Sequence, residues 1–116
     1  MKLLLAVIFY FLSNLAFAEE FVTSEQAYRM VEQELRSDRQ HDFVITQTAE
    51  YEFGWVFHYV PRRYSETRDS RDLVPGSTPL VVNRDGKLES LCDAMTETDV
   101  GIAEYLKKWR QKHPTR

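Results

Sequence analysis

The amino-acid sequence predicts an α+β domain, with a four-stranded antiparallel sheet and an N-terminal and a C-terminal helix packed on one of its faces. Three observations point to this class. Stretches near both ends place apolar residues at helical spacing, residues 53–60 alternate as a strand does, and an Asp-Gly pair separates two short apolar runs. The predicted order is therefore helix, two strands, a long loop, two strands and helix.

The first helix is predicted over residues 24–36. Thr23 precedes it, and Gln26 stands three positions further on, which is the pattern of a capping box. Apolar residues recur at every fourth position, namely Ala27, Val31 and Leu35. This spacing places them on one face of the helix, and the polar face is expected to meet solvent.

Two strands are predicted next, at residues 43–46 and 53–60. In the second strand Phe53, Trp55, Phe57 and Tyr59 are expected on one face, and Gly54, Val56, His58 and Val60 on the other. Both faces are largely apolar, which indicates a central strand that is covered on at least one face, with the second face partly covered or used for binding. Pro61 has no N–H to donate and ends the regular pairing.

A charged stretch from Arg62 to Thr78 follows, and unstructured loops of this length are often functional. Asp85-Gly86 then predicts a tight hairpin turn between strands at residues 80–83 and 87–91. Thr98 or Asp99 is predicted to cap the last helix, which ends before Pro114. The apolar face of that helix carries Ile102, Leu106 and Trp109.

Residues 1–18 have the pattern of a cleaved signal peptide. Lys2 gives a positive start, residues 3–12 are apolar, and Ala16-Phe17-Ala18 is a small-x-small cleavage sequence. The apolar run falls short of the roughly 20 residues that a membrane span needs, so cleavage is favoured over an uncleaved anchor. The expected product is a single domain over residues 19–116, located in the periplasm and without a stable membrane anchor.

Composition restricts the partners and the redox chemistry. Cys92 is the only cysteine, so no intrachain disulfide can form. Its thiol is expected to be a small buried group, with an intermolecular disulfide or a reactive nucleophile as alternatives. The chain has 15 Lys and Arg against 18 Asp and Glu, and cleavage removes Lys2 from the basic set. This acidic balance argues against nucleic acid as a partner.

Residues with catalytic chemistry are sparse. His41, His58 and His113 are far apart in sequence, and no His or Cys pair has the spacing of a metal site. Cys92 and His58 form the one conceivable nucleophilic pair, but no cysteine-protease signature surrounds Cys92. The four glycines do not form a phosphate-binding loop. The sequence thus predicts no catalytic residue, no metal and no cofactor.

Aromatic and arginine side chains are typical anchors of protein interfaces, and they concentrate around the charged stretch. The residues predicted to contact a protein partner are Trp55, Arg62, Arg63, Tyr64, Arg68, Asp69, Arg71 and Asp72. For Trp55 a place in the core is the alternative.

The run from Gly54 to Gly86 resembles the core of the immunity protein 35 family, also called the YrhB-like domain. The matching features are the Gly54-Trp55 start of the strand, Tyr64 in the loop, the Gly-x-x-Pro turn at residues 76–79, the apolar strand at residues 80–82 and the Asp85-Gly86 turn. The resemblance implies a small α+β protein, without catalytic residues, that binds and blocks a toxin of bacterial competition systems.

Members of that family are usually cytoplasmic, whereas residues 1–18 predict export. Together these features predict a periplasmic immunity protein whose cognate toxin acts on the cell envelope. Two alternatives remain, a general periplasmic chaperone-like binding module and a small hydrolase that uses His58 and Cys92. The oligomeric state is left open.

Overall fold

The computed structural model describes residues 22–114. In chain order the elements are helix α1 (Ser24–Arg36), strand β1 (Phe43–Tyr51), strand β2 (Gly54–Pro61), helix α2 (Arg62–Thr67), a 3-10 turn (Ser70–Asp72), strand β3 (Leu80–Asn83), strand β4 (Leu88–Ser90) and helix α3 (Thr98–Lys112). The strands form one antiparallel sheet in the order β1-β2-β3-β4. The predicted α+β class and four-stranded antiparallel sheet are confirmed.

The predicted signal peptide, residues 1–18, lies outside the described residues. Within residues 22–114 no helix has both the length and the apolar character needed to cross a membrane.

Helix α1 has the bounds and the cap that the sequence predicts. The Thr23 hydroxyl accepts a hydrogen bond from the Gln26 N–H at 3.1 Å, and the Gln26 side chain accepts one from the Thr23 N–H at 3.0 Å. This capping box satisfies two backbone donors that the first helical turn leaves unpaired. Ala27, Val31 and Leu35 are buried against the sheet, as their spacing predicts.

The two long helices cover opposite faces of the sheet, so the prediction that both pack on one face is wrong. Helix α1 packs on the side chains of Trp55, Phe57, Leu80 and Val82. Helix α3 packs through Trp109 and Ile102 on the other face, over Val56 and Val81. The physical reason lies in β2, where consecutive residues 55–57 are all buried. Both faces of the strand are apolar, and each needs its own cover.

Phe53 does not share the predicted aromatic face of β2. It lies in the turn before the strand, and its fully buried ring joins the cluster beneath α3. The break in alternation lies at Gly54, whose φ of +144° departs from the usual strand conformation. L side chains rarely adopt this angle, so glycine suits the position. The strand's alternation therefore starts only at Gly54. Trp55, Phe57 and Tyr59 keep the predicted common face.

The hairpin around Asp85-Gly86 is confirmed, and Asn83 closes it. The Asn83 side-chain oxygen accepts hydrogen bonds from the backbone N–H groups of Asp85 and Lys87, each at 3.0 Å. The predicted cap of α3 is wrong. The helix begins at Thr98, and Glu97 occupies the cap position without a side-chain hydrogen bond.

Tyr105 ties α3 to this hairpin. Its hydroxyl accepts a hydrogen bond from the Asn83 amide nitrogen at 3.0 Å and donates one to the Glu89 carboxylate at 2.9 Å. The pKa of Tyr105 is raised from the ordinary 10.0 to about 12, and burial of the phenol is the largest cause. The folded state thus favours the protonated phenol.

The free energy of unfolding is expected to fall as the pH rises between these two values. A raised pKa in the folded state gives stability that is fully present below 10.0 and is lost as the pH rises through about 12. Urea unfolding across this window checks the effect. The variant Tyr105→Phe should be less stable at neutral pH, because the Asn83 amide loses its acceptor, and should lose less stability on alkalinisation. An unchanged pH dependence in this variant would contradict the assignment.

Candidate partner-binding surface

The charged stretch after β2 is folded, which corrects its prediction as a loop without structure. Helix α2 begins directly after Pro61 and ends at Thr67 with Arg68 as its C-cap, and Asp69 then caps the 3-10 turn. Arg68 adopts the left-handed conformation, with φ of +57°, and its N–H donates to the Tyr64 carbonyl at 2.8 Å. We call residues 62–72 the loop surface. It contains all of the predicted contact residues except Trp55.

Two aspartates hold the loop surface in shape. Asp72 accepts a hydrogen bond from the Thr67 hydroxyl at 2.6 Å and pairs with the Arg63 guanidinium at 3.3 Å. Asp69 caps the 3-10 turn through the Arg71 N–H at 3.0 Å and also pairs with the Arg71 guanidinium at 2.7 Å. Asp72 thus links the 3-10 turn to α2, and Asp69 stabilises the 3-10 turn itself by accepting from a backbone N–H. The hydrogen bond from the Arg71 side chain is the largest cause that lowers the pKa of Asp69.

The arginines of the loop surface face outward, above these aspartates. The exposed fractions of the Arg63 and Arg71 side chains are 80% and 88%, against 21% for Asp72 and 35% for Asp69. Arg68 is also exposed, and its guanidinium carbon lies 5.8 Å from the centre of the half-buried Tyr64 ring. Among the exposed side chains of the loop surface, Arg62, Arg63, Arg68 and Arg71 outnumber Glu66, so its outer layer is mainly cationic, although the whole chain is acidic.

Arg62 links the loop surface to the connector between α1 and β1. Its backbone N–H donates to the Asp42 carbonyl at 2.7 Å, and its guanidinium pairs with the Asp42 carboxylate at 2.9 Å. Two open clefts, of about 440 Å³ and about 610 Å³, meet at His41, Asp42 and Arg62. The larger cleft is also lined by Arg63, Glu66, Thr67 and Asp72 of the loop surface.

Trp55 does not belong to this surface. Its side chain is only 3% exposed and lies in the core beneath α1, which was the alternative prediction. Arg84 covers the ring, with the guanidinium carbon 4.6 Å from the ring centre. The same guanidinium donates to the Tyr51 carbonyl at 2.9 Å and the Glu50 carboxylate at 3.0 Å. Arg84 thus clamps the β1–β2 hairpin by a cation–π contact and hydrogen bonds.

No local sequence pattern predicts the Arg84 clamp. The Asp42–Arg62 pair was equally invisible, because the two residues are 20 positions apart. Contacts of this range arise from the sheet pairing, and no local pattern encodes them.

Cys92 has the environment of a structural thiol. Burial is the largest cause that raises its pKa, and the neighbouring Asp93 and Glu104 carboxylates raise it further. A raised pKa lowers the fraction of reactive thiolate. No hydrogen bond joins Cys92 to His58 in residues 22–114, and the thiol instead lies 3.7 Å from the Thr96 carbonyl. In the same part of the chain, no three His, Cys, Asp or Glu side chains cluster as metal ligands would.

We expect the Asp72→Ala variant to loosen the loop surface while leaving the rest of the fold intact. It removes the acceptor of Thr67 and the partner of Arg63, both of which lie close to solvent, so the free energy of unfolding should change by about 1 kcal/mol or less. Amide hydrogen exchange should become faster within residues 62–72 and stay unchanged in β2 and β3. Unchanged exchange in the loop would show that Asp72 does not order it.

One of three comparisons with known proteins finds a match. The family model described as Immunity protein 35 matches residues 25–112. The chain belongs to this family. The match extends from the first turn of α1 to the last residue of α3, so it includes every helix and strand described above. The resemblance that the sequence shows is therefore confirmed. No curated protein matches the chain. No solved structure matches it either.

Proposed function

We propose that this immunity protein binds a cognate bacterial toxin and neutralises it without any catalytic step of its own. The observation that carries the proposal is the family match over residues 25–112. The structure supports a binding role, because the loop surface is held in a fixed shape by Asp69 and Asp72 before any partner arrives. A preordered surface loses little conformational entropy when it binds.

The exposed arginines of the loop surface support a partner with an acidic surface. Exposed Arg63, Arg68 and Arg71 are suited to a surface rich in carboxylates, since guanidinium groups form bidentate pairs with them. Such a surface surrounds the acidic active sites of many hydrolases, and a protein seated over one excludes the substrate. A specific complex of this kind buries about 800 Å² on each partner.

The place of action follows from residues 1–18. A signal peptide would carry the protein to the periplasm, and an inhibitor must meet its toxin where the toxin acts. We therefore propose a toxin that attacks the cell wall or another part of the envelope. The uncleaved membrane anchor is the competing interpretation of the same residues.

Co-expression tests the function and the location separately. The product of the neighbouring open reading frame is directed to the periplasm, where it should arrest growth, and this protein should restore growth. A variant without residues 2–18 stays in the cytoplasm and should not protect. Lack of protection by the full chain against a demonstrably toxic neighbour would contradict the immunity role. Protection by the truncated variant would contradict only the periplasmic location.

A further inference from the structure

Strand β1 forms an edge of the sheet and pairs only with β2 among the described residues. It has 9 residues, whereas β4 at the opposite edge has 3. The outer edge of a strand presents backbone N–H and C=O groups that can pair with a further strand. β1 is therefore the longer of the two templates for such pairing.

The pairing pattern identifies which backbone groups face outward. Residues 52–53 form a two-residue turn, and Tyr51 is opposite Gly54 across it. The residues that flank such a turn bond to each other, so Gly54 directs its backbone groups toward β1. Bonded and non-bonded positions alternate along an antiparallel ladder, so Phe57, three residues further on, directs its backbone groups toward β3. Thr48 is opposite Phe57 on β1. The N–H and C=O of Thr48 are consequently directed to the open edge.

β1 lacks most of the features that protect edge strands from pairing. Such features include Lys residues, prolines, inward charges and β-bulges, of which β1 has only a bulge. Residues 43–49 contain no charged residue and no proline. Glu50 is charged, but Arg84 of the same chain pairs with it at 3.0 Å. One bulge between Ile45 and Gln47 interrupts the pairing with β2, and the side chains of residues 46–48 are exposed.

We propose that β1 pairs antiparallel with β1 of a second copy of this chain, so that two four-stranded sheets join about a two-fold axis. A second copy fits the edge because an antiparallel strand is complementary to itself under two-fold symmetry. The uncharged run at residues 43–49 lets two copies approach without repulsion between like charges. This inference concerns assembly and does not depend on the proposed function.

Sedimentation equilibrium over a range of protein concentrations tests the proposal, with the protein purified as the cell produces it. The wild-type protein should show twice the mass of one chain. Thr48→Lys should shift the protein to the monomer by placing a positive charge in the middle of the pairing edge. Its side chain already faces solvent, so circular dichroism and the urea midpoint should stay unchanged. Ser90→Lys, at the exposed end of β4, is the matched control and should remain a dimer.

Three outcomes would overturn the proposal. A wild-type protein that stays monomeric at protein concentrations up to about 1 mM excludes the dimer, because only a very weak association would escape detection there. A Thr48→Lys variant that dimerises as well as the wild type places the interface elsewhere. A Ser90→Lys variant that becomes monomeric places it at β4.

Discussion

Replacing Gly54 by alanine is expected to unfold most of the protein. A Cβ at this position would lie 2.2 Å from the Val82 carbonyl oxygen and 2.7 Å from the Asn83 Cα, both of which are backbone atoms of β3. Neither can move without breaking the β2–β3 pairing at Gly54 and Asn83. The φ of +144° adds backbone strain, because L side chains rarely adopt it.

The expected loss exceeds about 4 kcal/mol, which is a large part of the roughly 5 to 15 kcal/mol that stabilises a domain. Urea denaturation followed by tryptophan fluorescence measures it, since Trp55 lies in β2 beside the substituted residue. Gly76→Ala is the matched control. Gly76 also has a positive φ, of +83°, but a Cβ there meets no atom within 4 Å.

The control variant isolates the steric cost from the backbone cost. Gly76→Ala should lose only about 1 to 2 kcal/mol, the penalty for a side chain in a left-handed conformation. Similar losses in the free energy of unfolding for the two variants would mean that the close approach of β3 to Gly54 does not contribute to the cost.

The same glycine shows how far the sequence predicts this fold. The capping box at Thr23, the spacing of Ala27, Val31 and Leu35, and the Asp-Gly turn are local patterns, and the structure confirms all three. The Gly54 conformation depends on how closely β3 approaches, which no local pattern records. Phe53 was therefore placed on the wrong face.

The placement of the helices failed for a related reason. Periodicity shows that α1 and α3 each have an apolar face, but it does not say which side of the sheet each face covers. The deciding information is that Trp55, Val56 and Phe57 are all buried. The sequence shows that both faces of β2 are largely apolar, but this pattern left open whether the second face is covered or used for binding.

The sequence predicts contact residues within residues 62–72, and this stays a prediction, but the folded architecture of the stretch was not predicted. The charge density of residues 62–72 and the preceding proline marked the stretch as a binding segment. The sequence did not show that Asp69 and Asp72 would lie beneath exposed arginines, because that depends on the fold of α2 and the 3-10 turn. Trp55 shared the residue type of an interface anchor, and only its burial excludes it.

Reversing two charges on the loop surface is expected to abolish protection against the cognate toxin. The double variant Arg68→Glu with Arg71→Glu replaces two exposed cations by anions, which repel the acidic partner surface proposed above. Affinity should fall by about 100-fold or more, which corresponds to close to 3 kcal/mol. The free energy of unfolding should change by about 1 kcal/mol or less, because Arg68 is exposed and the Arg71–Asp69 pair that is lost lies close to solvent.

A control with the same change in net charge separates local contact from general electrostatics. Arg29→Glu with Arg36→Glu reverses two exposed arginines on α1, whose side chains are 72% and 79% exposed. This variant should keep its affinity to within about 10-fold, since the repulsion that it adds is screened by salt. Equal losses in the two double variants would show that the loop surface is not the contact.

The most direct test of the account is a calorimetric titration of the purified neighbouring gene product with this protein. The account predicts a saturable complex with one immunity protein for each toxin, loss of toxin activity in proportion to the complex formed, and weaker binding at high salt. The Arg68→Glu and Arg71→Glu double variant should show little or no heat of binding at the same concentrations. Absence of binding by the wild-type protein to an active toxin, or full binding by the double variant, would contradict the account.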